Sequence, residues 1–505
     1  MTAEHVDVLI VGAGISGIAA GYYVQTRCPT KTYTILEGRS AIGGTWDLFR
    51  YPGVRSDSDM FTLGYAFRPW SNAKAIADGP AILQYVRETA ALYGIDRKIR
   101  FHHRVRSATW SSAEARWTVE FTQASEEGEG EEETQRLTCS FLFMCTGYYD
   151  YNHGYTPQWP GMERFEGRMV HPQQWPEQLD YAGKKVVVIG SGATAVTLVP
   201  ALAQEATHVT MLQRSPTYVV ARPSEDRMAN WMRGHLPGKV AYQLTRWRAI
   251  LFMIYFYSLT RRKPDLAKQG ILKMVRDELG PDYDVDTHFN PRYNPWDQRL
   301  CLVPDADLFA AIRAGTVSVV TDEIDTFTET GIRLREGGEL PADVIVTATG
   351  LNMRLMSGVQ LTVDGRLVDL GKTVSYRGMM YSGIPNLASA IGYTNASWTL
   401  KCELIAQYVC RLLHYMDQHG YVECMPPQPN LGGHKEPVIG LTSGYVQRAL
   451  DTLPRQGAKK PWRAYQNYLR DIVNLRFNPI NDGTMTFTRG GQRVLQEAVP
   501  QSQAS

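Results

Sequence analysis

The sequence lacks most of the features that mark nucleic-acid-binding, metal-binding and secreted proteins. Its net charge is only +2 over 505 residues, which gives no basic footprint for DNA or RNA. Its seven cysteines form no C-x-x-C pair, and their number is odd. This pattern indicates reduced thiols in an intracellular protein and argues against a metal site or a dithiol redox centre. No secretory signal precedes the first apolar run, so we expect a cytoplasmic enzyme.

Long apolar runs are also missing. The most apolar stretch is AILFMIYFYSL, residues 249–259, which is too short to span a bilayer. Arginines flank it at Arg246, Arg248, Arg261 and Arg262. We expect a helix packed in a pocket or a subunit contact, with an interfacial helix on a membrane surface as the alternative. The acidic run EEGEGEEE, residues 126–133, predicts a solvated hairpin loop.

What the sequence does contain is a repeated pattern. VDVLIVGAGISGIAA (6–20) and KVVVIGSGATAVTLV (185–199) each join a β-branched run to a glycine-rich turn and a helix-like segment. Each leads to a further strand-like run, at 31–37 and at 207–214. Two such β-α-β beginnings predict an α/β protein with two Rossmann-like dinucleotide-binding domains.

Two later turns suggest that one domain is inserted in the other. FLFMCTGYY (141–149) and DVIVTATGL (343–351) both place Thr-Gly after an apolar run, where the chain can cross between nested domains. The predicted division is 1–149 for the first part of the first domain, 150–345 for the second domain with a helical insertion at about 222–295, and 346–505 for the second part of the first domain with a C-terminal tail. Near the end, residues 401–420 predict an amphipathic helix that Gly420 closes.

The first glycine motif predicts a nucleotide without a 2′-phosphate. Gly12, Gly14 and Gly17 follow a strand and open a helix, the context in which such glycines admit a pyrophosphate to the helix N-terminus. Glu37 ends the next strand, where a carboxylate accepts hydrogen bonds from ribose hydroxyls and repels a 2′-phosphate.

The second motif predicts NADP instead. Gly190, Gly192 and Ala195 repeat the pattern, but the matching strand ends in Gln213 and Arg214. The arginine guanidinium is always charged and its fork suits a phosphate. Because two dinucleotides in one chain suggest electron transfer between them, we expect FAD in the first site and NADPH in the second.

Two longer motifs resemble those of a known family. GGTWDLFRYPGVRSD (43–57) matches its pattern through Gly43, Gly44, Trp46, Tyr51, Pro52, Gly53 and Asp57. FEGRMVHPQQWP (165–176) matches a second one through Phe165, Gly167, His171, Trp175 and Pro176. The chain resembles the type I Baeyer–Villiger monooxygenases, class B flavoproteins that use FAD and NADPH. Residues 294–304, 383–400 and 461–472 are most similar to the ethionamide-activating subgroup.

The resemblance implies a reaction and its agents. In this family a C4a-peroxyflavin inserts one oxygen of O₂ beside a ketone carbonyl, giving an ester or lactone, and S-oxygenation of thioethers or thioamides accompanies it. The substrates would therefore be a small ketone or sulfur compound and O₂. By motif position, Arg299 would be the catalytic arginine and Asp57 would pair with it. An arginine suits this role because it stays charged beside a developing oxyanion.

The same resemblance implies a set of cofactor-binding residues. For FAD they are Gly12, Gly14, Ser16, Gly17, Glu37, Gly44, Thr45, Trp46, Asp47, Asp57 and Val105. For NADP they are Arg55, Gly190, Ser191, Gly192, Ala193, Thr194, Ala195, Gln213 and Arg214. His171 would be a domain-linker residue whose hydrogen bonds set how the domains sit. Gln298 stands where many relatives have lysine, so NADPH preference over NADH would be weaker.

Other functions remain open at this stage. A flavin-containing N- or S-oxygenase that forms no ester is the main alternative, although that group lacks the Trp-Pro ending at residues 175–176. A disulfide reductase would need a cysteine pair near the flavin, and a non-catalytic redox sensor would not need Arg299 or Asp57. For the substrate pocket, Met379, Met380 and Trp398 are the candidates.

Overall fold

The computed structural model describes residues 4–123, 133–433, 436–490 and 492–494, the last three by their backbone alone. The acidic run predicted to be a hairpin loop lies outside the described residues, except for Glu133, which begins a strand.

Helices occur throughout the described chain. The α-helices are α1 Ile15–Arg27, α2 Thr45–Leu48, α3 Met60–Leu63, α4 Gly79–Leu92, α5 Ala193–Leu202, α6 Arg227–His235, α7 Gly238–Arg262, α8 Pro264–Leu279, α9 Val285–Phe289, α10 Asp307–Arg313, α11 Trp398–His419, α12 Gly444–Ala449 and α13 Tyr468–Asp471. Short 3₁₀-helices lie at Asp96–Lys98, Met162–Arg164, Pro172–Gln174, Leu355–Gly358 and Leu370–Lys372, and a π-helical turn spans Ile472–Phe477.

Most strands belong to two larger sheets. The strands are β1 Glu4–Val11, β2 Tyr33–Leu36, β3 Ile99–Arg100, β4 His103–Ser111, β5 Arg116–Gln123, β6 Glu133–Met144, β7 Arg168–Val170, β8 Lys185–Ile189, β9 His208–Gln213, β10 Val219–Arg222, β11 Cys301–Pro304, β12 Val317–Thr321, β13 Ile324–Phe327, β14 Gly331–Leu334, β15 Glu339–Pro341, β16 Val344–Thr347, β17 Gln360–Val363, β18 Arg366–Leu367, β19 Ser375–Tyr376, β20 Met380–Tyr381, β21 Leu387–Ser389, β22 Glu423–Met425, β23 Glu436–Pro437, β24 Arg455–Gln456, β25 Thr486–Arg489 and β26 Gln492–Val494.

The first sheet has a parallel half and an antiparallel half. Its order is β18-β17-β4-β5-β6-β1-β2-β3, and β21 pairs with β6 off this path. β1 runs parallel to both β2 and β6, so their carboxyl ends meet at one edge of the sheet. That edge carries Gly12 after β1, Glu37 after β2 and Cys145 after β6, which brings the first glycine motif and its acid together.

The second sheet is smaller and wholly parallel. Its order is β12-β9-β8-β16-β7, with β8 paired to β9 on one side and to β16 on the other. The second glycine motif follows β8, and Arg214 follows β9. The predicted α/β fold with two Rossmann-like dinucleotide-binding sheets is confirmed. The domain boundaries stay a prediction; α6 to α9 occupy the segment predicted as a helical insertion.

Local sequence signals fix several helix ends. The Asp78 side chain accepts the Ala81 N–H before α4, and Pro80 stands in the first turn where its missing N–H costs nothing. Gly420 closes α11 in the left-handed conformation, with a φ of 65°, as predicted. More side chains of α11 are buried than its amphipathic pattern predicts, because the helix lies inside the hydrophobic core rather than at the surface of the core.

Buried ion pairs attach α11 to its surroundings. Glu403 pairs with Arg246 of α7 at 3.0 Å, and Lys401 pairs with Asp471 at 3.5 Å. Removing one partner would leave a buried charge unpaired, so the Arg246–Glu403 pair holds α7 at a fixed position against the first sheet's helices. Among the described residues, no helix is both long enough and apolar enough to cross a membrane.

Candidate active site

The first glycine loop is built for close approach of another group. Gly12 has a φ of 102°, and a side chain on it would meet the Cys145 carbonyl oxygen at 2.7 Å. A side chain at Gly17 would overlap the Gly12 carbonyl oxygen, so the first turn of α1 can pack against the end of β1 only with glycine at this position. Gly14 faces Gly44 across the loop at van der Waals distance. The cradle therefore leaves backbone N–H groups open at the start of α1, which fits a pyrophosphate.

Glu37 is held in place from both sides. One carboxylate oxygen accepts the Ala13 N–H at 2.7 Å, and the other accepts the Arg39 N–H at 2.9 Å. Burial raises the pKa of the Glu37 carboxyl, and these two N–H donors oppose that rise. Each oxygen keeps a lone pair that can accept a hydrogen bond from a ribose hydroxyl, so Glu37 fits the role of the residue that binds the ribose.

The second glycine loop is more open. Gly190 has a φ of 133° and lies against the Ala348 carbonyl, whereas a side chain on Gly192 would meet no atom within 4 Å. Arg214 is exposed just beyond β9. Gln213 is buried instead, and its amide donates to the His288 carbonyl and to Thr321, each at 2.8 Å.

One cavity of about 470 Å³ lies between the two sheets. It is lined from the first sheet's side by the glycine loop and Trp46, and from the second by the start of α5. The predicted site residues that line it are Gly12, Gly14, Ser16, Glu37, Gly44, Thr45, Trp46, Arg55, Asp57, Val105, Ala193, Thr194 and Arg299. The fold therefore brings residues of both nucleotide motifs to a common space.

Arg299 and Asp57 meet at this cavity. Nη2 of Arg299 lies 3.2 Å from the Asp57 carboxylate, and each side chain is about one-third exposed. The Asp57 charge raises the pKa of Arg299 further above its usual range, despite the opposing effect of desolvation. A permanent cation, oriented by a carboxylate, thus faces the space that the nucleotide loops border.

Comparisons with known proteins agree on the kind of enzyme. Residues 74–235 match the flavin-binding monooxygenase-like family, and residues 10–78 match an NAD(P)-binding Rossmann-like domain. The FAD-containing monooxygenase EthA of Mycobacterium tuberculosis (strain ATCC 25618 / H37Rv) is 55% identical over 96% of this chain and 98% of EthA. The putative FAD-containing monooxygenase MymA of the same strain is 49% identical over 97% of this chain and 99% of MymA.

A solved structure is similar over nearly the whole fold. Oxidised steroid monooxygenase bound to NADP aligns with a TM-score of 0.73 and 21% identity, covering 96% of this chain and all of that one. The chain belongs to the FAD-containing monooxygenase family. The family resemblance predicted from the sequence is confirmed, and the expected pair of cofactors agrees with these comparisons.

Several predicted residues of this FAD-containing monooxygenase lie outside the cavity wall. They are Gly17, Asp47, Gly190, Ser191, Gly192, Ala195, Gln213, Arg214 and His171. Asp47 is almost fully buried, and its carboxylate contacts Arg39 at 2.6 Å and Arg87 at 2.9 Å. It therefore holds α2, which carries Thr45 and Trp46, against α4 and the Gly38–Arg39 turn.

Three tyrosines that the sequence did not single out surround Arg299. Tyr148 and Tyr149 follow β6, and their hydroxyls lie 2.9 Å apart. Burial raises the pKa of both, and Tyr445 of α12 reaches the same cluster and has its pKa raised for the same reason. All three stay protonated and can donate hydrogen bonds. The Thr-Gly-Tyr-Tyr turn was visible in the sequence, but no local pattern connects Tyr445 to this site.

A second cavity of about 230 Å³ opens beyond Arg299. It shares Asp57 and Arg299 with the larger cavity, and α7 supplies Phe252, Met253 and Phe256 to its wall. An apolar space bordered by the fixed cation is suited to an apolar substrate with one polar group.

The methionines expected in the pocket are elsewhere. Met379 and Met380 are fully buried in the core and line none of the three cavities described for this chain. Trp398 does line the larger cavity, where its indole N–H donates to Ser16 at 2.8 Å and its ring lies 5.1 Å from that of Tyr148. The methionine prediction was wrong because adjacent apolar residues at the start of a short strand look the same in sequence whether they pack inward or line a pocket.

His171 lies where the two chain crossings run side by side. The Gln173 N–H donates to its Nδ1 at 3.1 Å, so Nε2 carries the proton and donates to the Gly350 carbonyl at 3.1 Å. Its ring also packs on Gly154. Beside it, the backbone N–H of Asp150 donates to the Asn352 carbonyl, and that of Tyr155 donates to the Gly350 carbonyl. Burial lowers the pKa of His171, which keeps it in the neutral form that this bonding requires.

Proposed function

We propose that this enzyme is an NADPH-dependent Baeyer–Villiger monooxygenase of small ketones. The overall reaction consumes ketone, O₂, NADPH and a proton, and yields an ester or lactone, NADP⁺ and water. The observation that carries the proposal is the Arg299–Asp57 pair. It lies between the larger cavity, which residues of both glycine motifs line, and the apolar cavity of about 230 Å³. S-oxygenation of thioethers or thioamides in the same apolar cavity is the accompanying activity.

The two nucleotides are assigned by the chemistry of their loops. FAD is expected on the glycine loop after β1, with Glu37 as the ribose acceptor and Thr45 and Trp46 along its length. NADPH is expected on the loop after β8, with Arg214 as the partner of the 2′-phosphate. On this assignment residues 1–149 and 346–505 form the FAD-binding domain, and residues 150–345 form the NADP-binding domain. Bound FAD supplies the two electrons, taken from NADPH, that activate O₂.

The chain's own residues then have distinct tasks. Arg299 provides positive charge where oxygen atoms gain negative charge, and Asp57 fixes the direction in which its guanidinium points. The protonated Tyr148 and Tyr149 can donate hydrogen bonds on the same side. Phe252 and Phe256 exclude water from the second cavity and hold the apolar part of the ketone. His171 is proposed to tie the two chain crossings together, so that the domains close in one arrangement.

Among the residues assigned to NADP, Arg55 already forms an ion pair within the protein. Its guanidinium forms an ion pair with Asp307 of α10, which lies outside the cavity wall. Nε of Arg55 has no hydrogen-bond partner within the described structure, although it is buried. That free donor is the atom through which Arg55 would reach an NADP phosphate.

Product analysis tests the proposal. FAD-loaded enzyme should be incubated with NADPH and a panel of aryl ketones, long-chain ketones and thioethers, and the products identified by mass spectrometry. We expect esters from ketones and sulfoxides from thioethers. Sulfoxides without any ester would favour the flavin-containing N- or S-oxygenase instead. Consumption of NADPH with only H₂O₂ formed across the panel would contradict both.

A further inference from the structure

Helix α7 exposes a stripe of large apolar side chains. Val240, Leu244, Trp247, Leu251 and Tyr255 are each between 40% and 65% exposed. Their spacing of three or four residues puts them on one face of the helix, over a length of about 22 Å. The opposite face is buried and held by the Arg246–Glu403 pair, so the stripe is a fixed outer surface.

The stripe continues onto the neighbouring helix and forms a patch. Met228 and Trp231 of α6 are more than half exposed, and Arg248 of α7 donates to the Met228 sulfur at 3.1 Å. Of the fifteen large apolar side chains that are exposed within the described residues, eight lie between residues 228 and 255. These eight define the apolar patch: Met228, Trp231, Val240, Leu244, Trp247, Leu251, Phe252 and Tyr255. Such concentration on one surface marks an interaction site.

The segment that carries most of the patch has charges of one sign. Residues 227–263 contain eight lysines and arginines and no aspartate or glutamate, in a chain whose net charge is only +2. Three of these cations are neutralised by ion pairs, namely Arg246, Arg248 and Arg261. Arg227, Lys239, Arg262 and Lys263 form no ion pair with any other described residue, and all four are exposed. Two acids precede the segment, Glu225 and Asp226, of which Asp226 is the partner of Arg248, and Asp265 follows it.

This chemistry fits an anionic lipid surface better than a protein partner or a second copy of the chain. Trp, Tyr and Leu on one helix face, with basic residues at its ends, are typical of helices that lie in the headgroup region. Free cations gain from anionic headgroups, whereas a second copy would set cation against cation across a two-fold interface. Because no described helix can cross a membrane, the contact would be peripheral.

The apolar patch also connects to the space beside Arg299. A third cavity, of about 740 Å³, is lined by Met228 and Phe252 of the patch. It shares Asp59, Arg222, Phe252 and Met253 with the cavity that reaches Arg299. Helices α6 and α7 therefore carry the outward-facing patch, and they also line the cavities that lead from the patch to Arg299.

We propose that the α6–α7 face docks the enzyme on an anionic lipid surface, and that lipophilic substrate passes from the bilayer along Phe252 to Arg299. Docking does not depend on the reaction; the substrate route rests on the proposed ketone oxidation. The substrate class that follows is a ketone or thioether apolar enough to partition into a bilayer.

Vesicle flotation with the FAD-loaded full chain tests docking. The probes are phosphatidylcholine vesicles with and without about 30% phosphatidylglycerol, at low and at high salt. We expect binding only to the anionic vesicles and its loss at high salt. The double variant Trp247→Glu/Leu251→Glu should bind at least about tenfold more weakly, because apolar insertion is replaced by charge repulsion. Leu367→Glu, at a leucine on strand β18 that is more exposed than Leu251, is the control and should bind like the parent.

Fold integrity and oligomeric state complete the test. Unchanged FAD content and melting temperature in the double variant would show that it folds. Equal binding of the double variant and the parent, or binding to neutral vesicles alone, would overturn the proposal. So would a dimer in the parent that the double variant loses, since a second copy would then cover the patch.

A kinetic comparison separates docking from the reaction. With vesicles present, the double variant should have a KM at least about tenfold higher for a vesicle-partitioned long-chain ketone and an unchanged KM for a water-soluble ketone. Equal KM changes for both would contradict the route from the bilayer. Vesicle binding without any ester formation would leave docking supported and would count against the proposed reaction.

Discussion

The two glycine loops have similar sequence patterns, differing in Gly17 against Ala195, but lie in different surroundings. The loop after β1 is enclosed: Gly14 faces Gly44, and Glu37 is 7% exposed and held by two backbone N–H groups. The loop after β8 is open: Gly192 faces free space, and Arg214 is exposed. An enclosed cradle suits a nucleotide that stays, and an open one suits a nucleotide that exchanges each turnover. Variants at Glu37, Arg214 and Arg299 separate the two loops from the group that lies between them.

The largest loss of activity is expected on replacing Arg299, which belongs to neither glycine loop. Arg299→Ala removes the only charge that the proposal places on the reacting oxygens, so ester formation should fall by about 10²–10³-fold or more. FAD content and the rate of flavin reduction by NADPH should stay close to the parent, because Arg299 is assigned to neither cradle. Stopped-flow reduction and product analysis measure the two quantities. Parallel loss of reduction and product would assign Arg299 to nucleotide binding.

Glu37→Ala should release FAD from the enclosed cradle. The change leaves the Ala13 and Arg39 N–H groups without their acceptor and removes the ribose contact, which together cost on the order of 2–4 kcal/mol of FAD affinity. Flavin occupancy after dialysis reports this directly. Arg214→Ala is the control and should keep its FAD. If Glu37→Ala retains full flavin through dialysis, then the enclosed loop is not the resident nucleotide's site.

Arg214→Ala should affect the open loop alone. Losing the charge opposite the 2′-phosphate should raise the KM for NADPH by about 10-fold or more, while the KM for NADH changes little. Steady-state kinetics with both nucleotides measures the ratio. Similar increases for the two would mean that Arg214 does not recognise the phosphate, and the assignment of NADP to this loop would lose its main support.

The smallest effect is expected at His171, in the predicted linker between the domains. His171→Ala removes the hydrogen bond to Gly350 and the acceptor for Gln173, so turnover should fall by only about 2–5-fold and more NADPH should be lost to H₂O₂. The ratio of product to NADPH consumed measures this coupling. Unchanged turnover and coupling would leave His171 with packing on Gly154 as its role.

The same histidine predicts a pH dependence. Because burial lowers the pKa of His171, the folded protein binds this proton less readily than the unfolded chain. Its contribution to stability is complete above about pH 6.5, the ordinary histidine value, and decreases as pH falls below it. Melting temperatures between pH 7.5 and 5.5 should therefore decline less in His171→Ala than in the parent. An identical decline in both would show that other groups control it.

The parts of the fold that follow from local pattern were predictable. Gly12, Glu37 and Gly190 mark the ends of strands, and the chemistry of a turn or a strand end depends on few neighbours. Gly420 ends α11 for the same reason. The Arg299–Asp57 contact was implied by family resemblance alone, since nothing local connects residues so far apart in the sequence.

The roles of residues that depend on tertiary packing could not be predicted from the sequence. Tyr445 reaches Arg299 from α12, and Phe252 lines the pocket from a helix that also faces outward. Asp47 stays a predicted FAD residue, and the three arginines around its carboxylate could not be read from the sequence. In each case the sequence gives the residue type, whereas only the packing of distant elements decides which atoms it meets.

The central claim is that Arg299 turns reduced flavin and O₂ into a ketone-oxidising centre. The most direct measurement is a reaction of the parent and of Arg299→Ala with NADPH, a long-chain ketone and ¹⁸O₂, followed by mass spectrometry of the product. We expect one ¹⁸O atom in the ester for each NADPH that the parent consumes productively, and H₂O₂ without ester from the variant. Ester from the variant at the parent's rate, or unlabelled ester from the parent, would contradict the account.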